Sequence, residues 1–308
     1  MSEETITAHG RSGYRRLEEI SGWLFASPWI LGFIVFTAGP MIASAYYALT
    51  DYNIVQPPRW VGLDNFALAV SGDPLVWQSL KVTTIYAFVS VPLQIVFGLA
   101  VALLLNADIK GLQYYRTIYF LPSILSGVAV AMLWRWIFSA NYGLLNALLA
   151  LVGIRGPAWL GDAEWALPSL IIMSMWHVGG GMIVYLAGLQ GVPTELYEAA
   201  DVDGAKWRHK LFEITIPMIT PVLFYQLVTG IIQSLQVFTQ ALIMTSGGPK
   251  NATLFFMLYL YRNAFQYFKM GYASVLAWIL FVYILVLTLF VLRSSNLWVF
   301  YTGEVRGK

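Results

Sequence analysis

Six runs of mainly apolar residues, at 23–49, 79–106, 117–138, 165–189, 221–245 and 271–292, leave this chain little choice of fold. Each is long enough to cross the hydrocarbon core, which takes roughly 20 residues as a helix. Lipid offers no partner to a free backbone amide or carbonyl, so a spanning segment must satisfy its own, and helices do that within one segment. The rest of the sequence agrees: 11% of the 308 residues are charged and 58% hydrophobic, where a soluble domain carries about 25% charge. Too little charge remains to coat a water-facing surface. The predicted fold class is an all-α integral membrane protein of about six transmembrane helices.

Composition also excludes several functions. A net charge of +2 is too small to suggest nucleic acid as a partner, and the absence of cysteine removes disulfides and thiolate metal sites. His9, His177 and His209 make no metal-ligand spacing, and no Gly-rich phosphate-binding loop with its Lys is present, so no cofactor is predicted. The first apolar run continues into Tyr46-Tyr47-Ala48-Leu49 with no small-residue cleavage pattern, so it is expected to be a retained span rather than a signal peptide. An even number of spans puts both termini on one side. Eleven of the 18 Lys and Arg residues, among them Arg15, Lys110, Lys206, Arg208 and Lys210, fall on that side, which predicts N-in, C-in by the positive-inside rule.

Along the chain, residues 1–22 read as a polar tail with a short surface helix and 50–78 as an external loop rich in Pro, Gly and Asp. A core of spans follows over 79–293, interrupted by a loop at 190–220, with a tail at 294–308. No external stretch reaches the usual domain floor of about 50 residues. Pro28, Pro40, Pro92, Pro122 and Pro168 and the run Gly179-Gly180-Gly181 sit in or near spans. Such residues are tolerated where neighbouring helices or a cavity satisfy the freed backbone groups, which points to a pore-forming bundle.

The loop at 190–220 is the one charged island between spans. Pro193 and Thr194 suit a helix start, with Thr194 as a cap and Glu195 in the positive first turn. A helix over 195–203 is expected to end at Gly204, and a second to run through Trp207, Leu211 and Ile214 until Pro217 breaks it. Ala199 and Ala200 keep one face low for a partner, and Glu198 and Asp201 offer carboxylates to it. A loop lying on anionic headgroups through Lys206, Arg208 and Lys210 is the alternative, but it has no use for small residues and carboxylates beside that glycine.

Glu198-Ala199-Ala200, Gly204, Ile214 and Pro217 closely resemble the cytoplasmic loop of permease subunits of binding-protein-dependent ABC importers, the Glu-Ala-Ala motif. Val61-Gly62-Leu63-Asp64-Asn65-Phe66, Ala187-Gly188-Leu189-Gln190 and Thr245 with Gly247-Gly248-Pro249 are similar to the maltose-permease-like subunits of the carbohydrate-uptake branch. Ile216 stands where the pattern usually has Leu, and the large periplasmic insertion of the best-known maltose permease is absent. The resemblance implies a type I ABC transmembrane domain in a prokaryotic cell membrane and no catalysis of its own. It implies three kinds of partner besides the bilayer: a second homologous permease chain, two cytoplasmic ATP-binding subunits and an extracytoplasmic sugar-binding protein. Glu198, Ala199, Ala200, Asp201, Gly204 and Pro217 would then carry the ATPase coupling.

Gln226, Thr229, Gln233, Gln236 and Gln240 recur at steps of three and four, which predicts one polar helical face in the fifth span. Such a face looks into a wet cavity that suits sugar hydroxyls, or it bridges neighbouring helices. Trp176 and His177, beside the glycine run, join the candidate substrate path, with packing between helices as the alternative for both. No span centre holds Lys, Arg, Asp or Glu, which favours a neutral sugar or oligosaccharide over a sugar phosphate. The same absence counts against a stand-alone proton-coupled transporter, the competing reading along with a channel. A single cysteine replacing Lys206 should react with an impermeant thiol reagent from inside the cell only; labelling from outside would reverse the topology.

Overall fold

The computed structural model describes residues 4–107 and 110–300, with side chains from residue 18 onward. Its one sheet among these residues is a short antiparallel pair of β1 (Thr50–Asp51) and β2 (Arg59–Trp60). Helix α1 (Glu4–Phe33) passes through a π turn at Ile34–Ala38 into α2 (Gly39–Ala48). The described part of the expected tail, residues 4–22, is therefore continuous with the first span rather than a separate short helix. After α3 (Asp64–Ala67), α4 (Pro74–Leu105) runs the length of the bundle, and α15 (Met270–Trp298) closes it. The last eight residues of the expected tail, 301–308, lie outside the described residues.

The three remaining spans are not straight. Helix α5 (Leu112–Ile124) meets α6 (Gly127–Ile137) at 99°, and α7 (Leu144–Leu151) follows. Helix α8 (Ala163–Ser174) runs through a 3₁₀ turn at Met175–His177 and meets α9 (Gly179–Gln190) at 48°. Helix α10 (Thr194–Val202) precedes a segment formed by α11 (Trp207–His209), a π turn at Lys210–Thr215 and α12 (Ile216–Met218). That segment meets α13 (Thr220–Ser234) at 63°. After a π turn at Ala241–Thr245, the short α14 (Phe256–Tyr261) lies at the end of the bundle far from the island. Among the described residues, three helices are long and apolar enough to cross a membrane, and up to six spans result if each bent pair counts as one.

Helix α4 is the central post, packed against α8, α9, α13 and α14. At the far end its Asp73 caps it by accepting from the Leu75 amide at 3.0 Å. The same carboxylate accepts the Tyr272 hydroxyl at 2.7 Å and the Tyr259 hydroxyl, tying α15 and α14 to the start of α4. Burial, reinforced by Asp73, pushes Tyr259 up to about 12, so it stays a hydrogen-bond donor at any physiological pH. At the island end, Arg116 Nη2 donates to the Leu105 carbonyl at 3.0 Å, supplying one of the partners that the last turn of α4 lacks. A smaller core of Val101, Leu105, Met182, Leu189 and Ile219 surrounds that end.

The glycine run does not loosen its helix along its whole length. Gly179 sits where α9 crosses α5, and a Cβ there would lie 2.1 Å from the Tyr119 carbonyl oxygen and 3.0 Å from the Phe120 Cα. Small residues allow this backbone approach between spanning helices. Because backbone blocks the space, Gly179→Ala should separate α5 from α9 and destabilise the protein by about 1–3 kcal/mol. A clear drop in thermal unfolding temperature in detergent is expected; an unchanged temperature would contradict the packing.

Candidate functional site

Two constellations occupy opposite sides of the bend at Ile219. The first is the island. Thr194 is the first residue of α10 rather than its cap, and Pro193 takes the capping position without a side-chain bond. The end of α10 follows the sequence closely: Gly204 adopts φ +73°. The Ala205 amide donates to the Ala200 carbonyl at 2.9 Å and the Gly204 amide to Asp201 at 3.0 Å. These bonds form a Schellman closure, for which Gly supplies the left-handed conformation at little cost. Tyr197 and Thr215 hydroxyls lie 2.9 Å apart, and Lys210 pairs with Asp201, so the two arms of the island are held at a fixed angle.

Glu198 and Ala199 are exposed, whereas Asp201 is already engaged by Lys210. Val202 (89% exposed), Trp207 (67%) and Phe212 (63%) add an apolar surface that the sequence reading did not single out. The expected break at Pro217 is displaced. The helix continues from the π turn at Lys210–Thr215 through Pro217 as far as Met218, and the bend follows at Ile219.

The second constellation is a cavity of about 290 Å³ among α4, α9 and α13. It brings together His177, Gln226, Thr229 and Gln233 from the predicted set and adds Gln94, Tyr185 and Tyr225. Its lining carries no Asp, Glu, Lys or Arg. Gly181 makes room for it: a Cβ there would sit 2.5 Å from the Gln226 amide nitrogen. Thr229 Oγ1 donates back to the Tyr225 carbonyl at 2.8 Å, leaving its lone pairs for another partner.

Other members of the predicted path are elsewhere. Helix α13 ends at Ser234, so the single helical face does not continue to Gln236 and Gln240, and neither lines the cavity. Trp176 packs edge-on against Trp134 (6.1 Å between centroids) and His177 (5.8 Å), outside the cavity lining. Gln94 was legible in principle. Ser79, Thr83, Tyr86, Ser90 and Gln94 recur at steps of three and four on α4, the same signal as the glutamine face. Toward the far end this stripe is structural, since Thr83 Oγ1 accepts the Phe256 amide at 2.8 Å. The cavity should be wet: Thr229→Cys should react readily with a hydrophilic thiol reagent. Leu227→Cys, facing an apolar crevice with Phe88 and Ile231, should react at least about tenfold more slowly, as hydrocarbon excludes a charged reagent. Equal rates would contradict a polar cavity.

The chain is similar to known proteins over most of its length. The model of the family described as "Binding-protein-dependent transport system inner membrane component" matches residues 84–297. The chain is 44% identical over 293 residues to the probable ABC transporter permease protein YesP of Bacillus subtilis (strain 168), covering 94% of each. It is 34% identical over 286 residues to the lactose transport system permease protein LacF of Rhizobium radiobacter, covering 90% of this chain and 95% of the other. Among solved structures it is similar to a bacterial ABC transporter involved in the import of the acidic polysaccharide alginate (27% identity, TM-score 0.80, covering 92% of this chain and 98% of that chain). A second structure shows the bacterial alginate ABC transporter in complex with an alginate pentasaccharide-bound periplasmic protein (26% identity, TM-score 0.80, covering 92% and 96%).

Proposed function

Because this chain belongs to the binding-protein-dependent transport system inner membrane component family, we propose that it carries a neutral sugar or oligosaccharide inward through the cavity on α13, driven by ATP hydrolysis on partner chains. The type I ABC transmembrane fold and the kinship with sugar permeases supply the frame. The observation that carries the finer reading is a cavity lined by three glutamines, a threonine, two tyrosines and a histidine without one formal charge. Amides donate and accept at once, which matches sugar hydroxyls, whereas a carboxylated or phosphorylated sugar would need a cation there. The alginate transporter handles an acidic polysaccharide, so the uncharged lining is where this chain would differ in cargo.

In this reading the island faces the cytoplasm, N- and C-termini on the same side. Its exposed Glu198, Ala199, Val202 and Trp207 form the surface on which an ATP-binding subunit docks. Gly204 fixes the angle between its helices, and Asp201 acts through Lys210 rather than by touching the partner. Pro217 lies in the helix that leads from the docking surface to the cavity. A second permease chain would complete the path, and an extracytoplasmic binding protein would deliver the sugar, as the periplasmic protein of the alginate complex suggests.

Two measurements on the reconstituted complex test the reading. Glu198→Lys should leave the assembled complex in the membrane and lower uptake more than about tenfold, since it reverses a charge at the docking surface. Uptake at the normal rate would remove the island from coupling. Replacing Gln226 and Gln233 together by Leu deletes one hydrogen bond each and should weaken the apparent sugar affinity by about tenfold. Unchanged uptake kinetics would make these glutamines structural.

A further inference from the structure

The bend between the island and the cavity is closed by the end of the last helix. At the bend, Ile219 has φ −95° and ψ 5°, and Pro221, the second residue of α13, brings no amide hydrogen. The Ile219 amide still donates to the Thr215 carbonyl at 3.1 Å and its carbonyl accepts from Val222 and Leu223, but Pro221 can donate nothing back across the bend, and the Thr220 side chain adds a link there. Thr220 Oγ1 donates to the Pro217 carbonyl at 2.7 Å on one side of the bend. The same oxygen accepts the Phe300 backbone amide at 2.8 Å, from the segment that leaves α15. Thr220 is 7% exposed and Val299 7% exposed, so the joint is shielded from water. Beside it, Trp298 packs edge-on against Phe224 of α13, with ring centroids 5.8 Å apart. Trp298 Nε1 is itself steered by Ser294 Oγ at 3.3 Å.

We propose that Trp298, Val299 and Phe300 are positioning residues for transport: they clamp the 63° bend so that displacement of the island is passed to α13 instead of being absorbed at Ile219. The clamp touches neither the cavity nor the exposed surface of the island. Its effect is on transmission alone. Without the clamp, the backbone bonds of Ile219 and the packing around it are left to hold the bend, and motion on one side fixes the position of the other less firmly. The inference rests on the coupling role proposed for the island.

The test compares ATP hydrolysed per sugar imported in proteoliposomes containing the complete complex. Thr220→Val keeps the shape and removes the hydroxyl, leaving Pro217 and Phe300 without their shared partner; Trp298→Ala removes the ring contact independently. Both should raise the ratio by about fivefold, the factor that a single hydrogen bond or ring contact is worth, with sugar KM unchanged. Thr220→Ser, which restores the hydroxyl, should return the ratio to normal. A normal ratio in both Thr220→Val and Trp298→Ala overturns the proposal, even if their membrane levels or melting temperatures fall. Should Thr220→Val fail to assemble, Trp298→Ala alone decides in the same way. Glu198→Lys in the same assay separates the two readings. A raised ratio there with normal ratios in the clamp variants rejects the clamp only, whereas a normal ratio in Glu198→Lys rejects the coupling role and the clamp together.

Discussion

Every helix break in this chain has to find its own hydrogen-bond partners, because hydrocarbon supplies none, and that constraint decides where the functional elements lie. The bend at Ile219 is tolerated because Thr220 and the Phe300 amide close it. The end of α4 is completed by Arg116 across the gap to α5, and its start by Asp73, which gathers two tyrosines from later helices. The turn at Met175–His177 borders the polar cavity among α4, α9 and α13, which His177, Gly180 and Gly181 help to line. Breaks and polar groups occur together because each makes the other affordable.

The division of labour along α10–α13 follows from this. The island is a rigid piece, held by a Schellman closure, an ion pair and a hydroxyl contact. The cavity wall is another, held by α13 against α4 and α9. They are joined at Ile219 and its clamp, by the short link from α9 to α10, and by the small core around Leu189 and Ile219. The chain belongs to a family of inner membrane permeases with sugar permeases among its relatives, and this arrangement gives a physical route by which a neighbouring ATPase could drive such a subunit.

Local features were legible in the sequence and long-range ones were not. Gly204 announced the end of α10 because a left-handed residue at a helix end depends on nothing distant. The helix that carries the glutamine face extends only just past Gln233. Residues 235–238 contain neither Pro nor Gly, and α13 ends there because Leu235, Val237 and Phe238 are drawn into core packing that no periodicity reports. Gly179 is a point of contact with Tyr119, a pairing of residues 60 apart that no local pattern reports. Gln94 was passed over because α4 is apolar enough to hide a sparse polar stripe. The clamp was invisible, since it joins Thr220 to a backbone amide 80 residues away.

The central claim is that the state of the ATPase controls the cavity through this joint. It is tested most directly by the reactivity of a single cysteine at Gln94, in a chain that has no cysteine of its own, assembled with cysteine-free partners. The account predicts labelling from the cytoplasmic side without nucleotide. Labelling should switch to the outer side when a non-hydrolysable ATP analogue and the binding protein are added, and sugar should protect in both states. Labelling that is indifferent to nucleotide would contradict it.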